Sequence, residues 1–356
     1  MRALFDITHP AHVHFYRHMW EELQRRGWSI AIASREKDVT TQLLDDLGVD
    51  HLPISKMSGG RLGLGAELME RDRALLRLAR GDRPQVILTR SPSGTHVGRL
   101  LGVPSVFDTD NGLSAGAHYR AAAPFASVIT TPDCFAADLG PKQVRYPSYK
   151  ALAFLHPNRF QPDPGIRRQL GMADEDKYFL IRLVAMRASH DHHESGFPLD
   201  HLDRVVSLLE DHGRVLISSE GPLPDRFTEF GLRTSAGEFH SVLAGASLCI
   251  GDSGSVAQEA AILGVPSIFV SSFAGRTAPL EEMEHRYGLV SSFPPHAIER
   301  AIGAIADSFA TEPDTHRRRH RRMLEEKVDL TSWYVDLVET VATGDVRPRS
   351  GLRMTP

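Results

Sequence analysis

The residues best suited to hold an anion lie in the segment 250–266, which reads Ile-Gly-Asp-Ser-Gly-Ser-Val-Ala-Gln-Glu-Ala-Ala-Ile-Leu-Gly-Val-Pro. An apolar strand runs into a small, hydroxyl-rich turn, and we expect a helix to begin at about Ser255. Ser253, Ser255 and the free amides of the first helical turn can hold a phosphate, helped by the helix dipole. Glu259 follows one turn later, where its carboxylate can accept hydrogen bonds from ribose hydroxyls. The alternative is a tight strand–helix turn in which Ser255 only caps the helix.

A second set of chemically active side chains is the histidine-rich loop Thr8–His14. The loop follows the first predicted strand, and open α/β sheets place ligands beyond the carboxyl ends of their strands. Imidazole can take a proton near neutral pH, so His9, His12 and His14 are candidate general bases. We prefer His12, because His14 lies at helical spacing from His18 and both can simply decorate a helix.

A third candidate is the run His190-Asp-His-His-Glu194, which follows the first predicted strand of the second half. Histidine and carboxylate groups suit zinc, but neighbouring residues on one loop rarely all reach one ion. We therefore expect no metal site here. The prediction is that Arg182, Arg187 and His190 contact the substrate or its diphosphate.

Strands and helices alternate along the whole chain. The predicted strands are residues 3–7, 29–33, 51–54, 86–89, 105–107 and 127–130, then 178–181, 214–217, 248–250 and 267–270. Such alternation is typical of parallel, doubly wound sheets. A Gly-rich loop is expected at Gly59, Gly60, Gly63 and Gly65. The proline-bearing stretch 156–164 predicts a linker. We therefore expect an N-terminal domain at 1–160, a C-terminal domain at 161–325, and a final segment, 326–356, whose helix returns to the first domain before a flexible tail.

Composition limits the function classes. The chain has 356 residues, with 41 basic and 45 acidic side chains and a net charge of −4, which gives no reason to expect a nucleic-acid partner. Two cysteines, no signal peptide and no membrane-length apolar run predict a cytoplasmic protein. The basic run 316–322 predicts a solvated helix face, with a weak peripheral membrane contact as the alternative.

The segment 250–266 resembles the donor-binding motif of the GT-B superfamily. It is similar to the Asp-Ser-Gly-Gly-x-x-x-Glu pattern of non-hydrolysing UDP-N-acetylglucosamine 2-epimerases and to the Ser-Gly segment of the lipid-linked N-acetylglucosaminyltransferase of peptidoglycan synthesis. The resemblance implies that Ser253, Gly254 and Ser255 hold a pyrophosphate and that Glu259 holds a ribose.

A closer resemblance covers nearly the whole chain and is to a GT-B-like family of unknown function. It rests on the segments 5–15, 33–39, 145–150, 188–191 and 250–266. It implies an α/β, GT-B fold, with two Rossmann-like, doubly wound domains facing a central cleft.

The stretch Asp110-Asn-Gly-Leu113 resembles Glu-Ala-Gly-Leu of the 2-epimerases, whose carboxylate is catalytic. Two departures from the epimerase pattern stand against that chemistry. The stretch Thr89-Arg-Ser-Pro92 lacks an expected aspartate, and Met186 stands where the epimerases have a histidine. The Asp108-Thr-Asp110 pattern also matches the Asp-x-Asp metal motif of another glycosyltransferase fold, but its place at a strand end weakens that interpretation.

Together these features predict a metal-independent GT-B glycosyltransferase without a cofactor, which uses a nucleoside diphosphate sugar, UDP-linked by preference, as its substrate. Its partners are this donor and an acceptor that the sequence does not identify. The alternatives are a nucleotide-sugar isomerase or hydrolase with Asp110 as acid or base, and a non-catalytic GT-B binding protein. The sugar, the stereochemistry and the oligomeric state stay open.

Overall fold

Two α/β units form from the alternating pattern. The computed structural model describes residues 1–36, 39–56, 60–110, 116–184, 195–235 and 237–344. One unit comprises Met1–Phe154 with the chain from Val328 onward, and the other comprises Leu155–Lys327.

The first unit contains a seven-stranded parallel sheet in the order β3-β2-β1-β4-β5-β6-β7. Its strands are β1 (Arg2–Ile7), β2 (Ser29–Glu36), β3 (Leu52–Lys56), β4 (Val86–Thr89), β5 (Ser105–Asp108), β6 (Val128–Pro132) and β7 (Gln143–Tyr146). The second unit has a five-stranded parallel sheet in the order β12-β11-β10-β8-β9. Its strands are β8 (Tyr178–Leu183), β9 (Arg214–Ser219), β10 (Leu248–Gly251), β11 (Ser267–Val270) and β12 (Val290–Phe293). Each sheet reverses its strand order once, between β1 and β4 and between β8 and β10, and such switch points are where doubly wound sheets bind ligands.

Helices connect the strands. They are α1 (Pro10–Arg25), α2 (Thr40–Asp46), α3 (Gly60–Gly81), α4 (Pro92–Leu101), α5 (Ala117–Ala122), α6 (Leu152–Leu155), α7 (Ile166–Gln169), α8 (Leu202–Glu210), α9 (Phe239–Gly245), α10 (Gly254–Ile262), α11 (Ala278–His285), α12 (Ile298–Ala310), α13 (Pro313–Glu326) and α14 (Leu330–Ala342). Short 3-10 helices occupy Leu199–His201, Asp225–Phe230 and Pro295–Ala297. In the part of the chain that the structure describes, each helix is too short or too polar to cross a membrane.

The parallel sheets are apolar because helices can cover both of their faces. The strand β1 is buried from Ala3 to Ile7, and β8 is buried at five of its six positions. Each of the ten predicted strands overlaps an observed strand. The strands β7 and β12 were not predicted, because Gln143-Val-Arg-Tyr146 and Val290-Ser-Ser-Phe293 lack a continuous apolar run.

The predicted Gly-rich loop is wrong for Gly60, Gly63 and Gly65, which lie in α3, while Gly59 lies outside the described residues. Each helical glycine costs about 1 kcal/mol relative to alanine. The remainder of the helix offsets this cost through strong helix formers and through buried ion pairs to the sheet. The carboxylate of Glu67 accepts from Arg35 at 2.5 and 2.6 Å, and Arg71 pairs with Asp6 of β1.

The helix α14 belongs to the first unit. The hydroxyl of Tyr334 donates to Asp108 at 2.6 Å, and the hydroxyl of Thr331 donates to the carbonyl of Ala153 at 2.7 Å. At the solvent side, Glu339 accepts from Arg26 of α1 at 2.8 Å. The helix α14 is thereby joined to the carboxyl end of β5.

The basic run 316–322 lies in α13. His316 is buried, and the Nε2 of His320 donates to the carbonyl of Ile262, at the end of α10, at 2.7 Å. The arginines of the run are exposed, and Arg322 pairs with Glu326 one turn later at 2.8 Å. One face of α13 therefore packs on the unit while its arginines contact solvent.

Candidate functional site

The turn from β10 into α10 carries the predicted anion site. At Gly251, a Cβ atom would collide with the carbonyl of Arg182 on β8, so only glycine lets the two strands run this close. Ser253 is the N-cap of α10, and its Oγ accepts from the Val256 amide at 3.4 Å. The helix therefore begins at Gly254, one residue earlier than expected, and its cap is Ser253 rather than Ser255. Ser255 is exposed in the first turn.

The amides of the first turn are available for an anion. Gly254 and Ser255 are the first two helical residues, so their N–H groups have no partner within the helix. The positive end of the helix dipole lies at the same place and favours a negative charge. Glu259 follows on the same helix, 15% exposed, with its carboxylate 3.3 Å from Nε2 of His240. A hydroxyl, free amides and a carboxylate thus lie within the seven residues from Ser253 to Glu259.

Arg182, at the end of β8, faces its neighbour β9. Its guanidinium donates to Ser218 at 2.8 Å and to Glu220 at 2.5 Å, and it lies 5.8 Å from the ring centroid of Phe239. The other two residues predicted to contact the diphosphate, Arg187 and His190, lie outside the described residues.

In the first unit, His12 lies in the first turn of α1, just beyond β1. The helix starts at Pro10, and the ring of His9 caps it by accepting from the Ala11 amide at 3.2 Å. The amide of Thr8 donates to Nδ1 of His12 at 3.3 Å, which leaves the ring proton on Nε2. Burial, and then the positive charge of Arg90, lower the pKa of His12 well below its usual range. The imidazole is therefore neutral at pH 7.

His14 lies two residues further along α1 and has different neighbours. Its ring is 5.7 Å from that of Phe154, centroid to centroid. His18 follows on the same helix and lies 2.9 Å from the carboxylate of Glu21.

Asp110 lies beyond the end of β5 between two cations. Lys150 Nζ is 2.6 Å from one carboxylate oxygen, and a nitrogen of Arg90 is 2.9 Å from the other. Burial opposes ionisation, but the charges of Lys150 and Arg90 outweigh it and hold the pKa of Asp110 well below its usual range. The carboxylate is therefore ionised at pH 7.

Asp108, two residues earlier, is fully buried beneath this pair. It contacts the second guanidinium nitrogen of Arg90 and accepts from the hydroxyls of Tyr334 at 2.6 Å and Thr130 at 3.2 Å. His118 completes the cluster by donating to the carbonyl of Arg90 at 2.8 Å. The two carboxylates of the Asp-x-Asp pattern thus engage side-chain cations and hydroxyls of their own unit.

Residues 1–283 match the model of a family described as Protein of unknown function (DUF354). The match covers more than half of the chain. The protein belongs to the DUF354 family. A comparison with curated proteins gave no match.

Solved structures share the fold of this DUF354 protein. A crystal structure of UDP-N-acetylglucosamine 2-epimerase superposes with a TM-score of 0.68 at 15% identity, covering 100% of this chain and 99% of that one. The Neisseria meningitidis UDP-GlcNAc 2-epimerase, bound to UDP-GlcNAc, gives 0.68 at 11% identity over 95% and 99% of the chains. MurG of Acinetobacter baumannii gives 0.60 at 14% identity over 96% and 100%. These likenesses confirm the predicted GT-B fold with two Rossmann-like domains.

The structure also presents residues of this DUF354 protein that the sequence did not single out as functional. Arg90 joins Asp108 to Asp110, Lys150 holds Asp110, and His240 lies against Glu259. A positional signal existed for Arg90, which directly follows a buried strand. Lys150 lies in the segment 145–150, which supported the family resemblance, but the resemblance assigned no role to this lysine.

Proposed function

We propose that this DUF354 protein is a glycosyltransferase that moves a sugar from a nucleoside diphosphate sugar, UDP-linked by preference, to an acceptor. The observation that carries the proposal is the start of α10. Ser253 caps it at the carboxyl end of β10, next to the switch point of the second sheet, and Glu259 follows one turn after the free amides. Solved structures of the same fold include a UDP-GlcNAc 2-epimerase bound to UDP-GlcNAc and MurG, which supports a nucleotide-sugar ligand.

The start of α10 suits the leaving group of such a transfer. Negative charge develops on the diphosphate as the glycosidic bond breaks, and fixed amide dipoles stabilise such charge without reorganising. Gly254 and Ser255 supply these amides, and Glu259 would accept from the ribose hydroxyls. Arg182 adds a positive charge at the end of β8. With these groups the transfer needs no metal ion.

His12 is the proposed general base. It is neutral at pH 7, so it has a lone pair to accept the acceptor's proton. That lone pair lies on Nδ1, where it meets the Thr8 amide. His12 therefore acts as a base through Nε2 only after the ring proton has moved to Nδ1. His14 is the second candidate on the same helix.

The isomerase or hydrolase alternative would need Asp110 to exchange a proton. A carboxylate acts well in that role when its pKa lies near the working pH. Lys150 and Arg90 hold the pKa of Asp110 well below its usual range, so Asp110 is ionised at neutral pH and has no proton to donate there. In the transferase, we assign Asp110 the task of orienting Lys150 and Arg90.

A binding screen followed by a product assay tests the proposal. Specific ligands among UDP-, GDP- and dTDP-sugars should raise the melting temperature, with about 2.7 kcal/mol of stabilisation at a ligand concentration of 100 Kd. The stabilising donor is then incubated with the protein and candidate acceptors. Acceptor-dependent release of the nucleoside diphosphate supports transfer, whereas conversion or hydrolysis of the sugar without an acceptor supports the alternative. Binding without any turnover would indicate a non-catalytic protein, and no stabilisation by any donor would contradict the proposal.

A further inference from the structure

Asp252 joins three segments of the second unit. Its Oδ1 accepts from the Val184 amide at 2.8 Å, and its Oδ2 accepts from the Phe197 amide at 3.0 Å. Its own amide donates to the carbonyl of Arg182 at 3.1 Å. The side chain of Asp252 thus binds the chain where it leaves β8 and again at Phe197, while its backbone forms the turn that leads to Ser253.

The carboxylate of Asp252 can accept both of these hydrogen bonds, whereas the amide of an asparagine of the same size cannot. Both of its oxygens accept from backbone amides, whereas asparagine has one acceptor and would turn its own NH2 group towards an N–H donor. Asp252 is only 7% exposed, so its removal would leave the buried amide of Phe197 and the partly buried amide of Val184 without an acceptor, which is costly. Burial raises the pKa of Asp252, and the amides of Phe197 and Val184 oppose that rise.

A second tie holds the same stretch of chain. The amide of Ser195 donates to the hydroxyl of Ser272 at 3.0 Å, and the amide of Ser272 donates to the carbonyl of Ser195 at 2.9 Å. Ser272 follows β11, so residues 195–197 are fixed to the ends of two neighbouring strands. Asp252 is the member of this set that directly precedes the cap of α10.

We infer that Asp252 is a positioning residue of the nucleotide site, which fixes the direction of the first-turn amides of α10 relative to the end of β8. The inference rests on the proposed function. The backbone of Asp252 sets the angle at which Ser253 enters the helix, and its side chain locks that backbone to Val184 and Phe197. A diphosphate held by several N–H groups depends steeply on such alignment, since a misplacement of about 1 Å can cost on the order of 100-fold in function.

The test compares ligands with and without phosphates. In Asp252→Asn, we expect the affinity for UDP, measured by calorimetry, to fall by roughly 10–100-fold, while the affinity for uridine stays within twofold of wild type. If Asp252 had only a structural role, its substitution would lower the affinities for UDP and for uridine to a similar extent. Asp252→Glu keeps two acceptor oxygens and should lose UDP affinity by less than the asparagine variant.

Asp176→Asn is the matched control. Its carboxylate accepts from the Ala173 amide at 2.8 Å near the amino end of β8, at the opposite edge of the sheet. This variant should bind both ligands like wild type. Circular dichroism and melting temperature establish that each variant is folded, and if Asp252→Asn does not fold, Asp252→Glu decides with the same pair of ligands.

Equal losses for UDP and uridine, or no loss for UDP, in a folded Asp252 variant would overturn the inference while leaving the proposed function intact. Wild-type protein that binds no nucleoside diphosphate would overturn both. A loss confined to UDP supports the positioning role.

Discussion

Lys150 Nζ lies 2.6 Å from Oδ2 of Asp110, in a pair that is about one-third and one-fifth exposed. Arg90 contacts the other oxygen of the same carboxylate, so a single acid is shared by two cations. Arg90 follows β4, Asp110 follows β5 and Lys150 follows β7. These three side chains therefore join the ends of three strands, and removing the charge of Lys150 should be measurable as a loss of stability.

Lys150→Met should destabilise the protein by roughly 1.5–3 kcal/mol at pH 7, the usual value of a hydrogen bond between charged groups. The variant keeps an unbranched side chain, one atom shorter, and loses the charge. Urea denaturation at pH 7 measures the effect. Lys142→Met is the control, because Lys142 donates to the carbonyls of Ala123 and Pro124 and does not contact Asp110.

The same pair has a defined pH dependence. The pKa of Asp110 is lower in the folded protein than in the unfolded chain. Asp110 therefore contributes stability that is fully present above its unfolded pKa of about 3.9 and is lost as pH falls through the folded value. The stability difference between wild type and Lys150→Met should therefore be largest near neutrality and shrink below about pH 4. A difference that grows on acidification would contradict this assignment.

Ser253→Asp separates the two roles of the α10 cap. Aspartate caps a helix as well as serine does, whereas Ser253→Ala should cost about 1 kcal/mol of stability. The aspartate also places a negative charge where the diphosphate is proposed to bind. We expect Ser253→Asp to keep its melting temperature and to lose UDP binding, as measured by calorimetry.

Ser253→Ala with Glu259→Ala should abolish nucleotide binding in a folded protein. Each charge-assisted bond contributes roughly 1.5–3 kcal/mol. Glu299→Ala, on the exposed face of α12 where Glu299 pairs with Arg204, is the control and should bind normally. Unchanged UDP affinity in the folded double variant would refute the donor site.

Acid should weaken the contact between α13 and the end of α10. Burial lowers the pKa of His316 to about 4, below its ordinary 6.5, so its neutral form is favoured in the folded protein. This stability is fully present above pH 6.5 and is lost as pH falls through about 4, by about 3 kcal/mol in total. His316→Gln should therefore flatten the loss of unfolding free energy between pH 7 and pH 4.5. His285→Gln, whose ring is exposed, should follow the wild-type curve; identical curves for wild type and His316→Gln would reject the assignment.

Much of the fold could be predicted because apolar runs mark buried parallel strands directly. The start of α10 could also be predicted, since a strand followed by Asp-Ser-Gly-Ser is a local signal. The helix start was placed one residue late, at Ser255 instead of Gly254, because Ser253 and Ser255 are both good cap residues and only the backbone geometry distinguishes them.

The cluster around Asp110 could not be predicted in the same way. Its partners lie 20 and 40 residues away in the sequence, on the ends of different strands. The strand β7, which leads to Lys150, has no apolar run to reveal it. Long-range pairing of charges depends on strand order, which the sequence pattern does not specify.

The role of His12 can be resolved with two substitutions that differ in one property. His12→Ala removes the ring, and if His12 is the base it should lower turnover by on the order of 10²–10⁴-fold with little change in nucleotide affinity. His12→Gln restores an N–H donor near the position of Nε2 but cannot take a proton in neutral water.

The bond from the Thr8 amide to Nδ1 makes this comparison necessary. In the tautomer that this bond implies, Nε2 is a donor, so a glutamine that supports turnover would show that His12 only orients the acceptor. A glutamine variant as inactive as the alanine variant supports proton transfer. His18→Gln is the matched control on the same helix, because His18 contacts Glu21 and has no proposed part in the reaction. Turnover is measured as nucleoside diphosphate release from the stabilising donor in the presence of acceptor, or as slow donor hydrolysis. Normal turnover in His12→Ala together with an inactive Asp110→Asn would instead identify Asp110 as the group that exchanges the proton. That result would favour the isomerase or hydrolase reaction, despite the low pKa that Lys150 and Arg90 impose on Asp110.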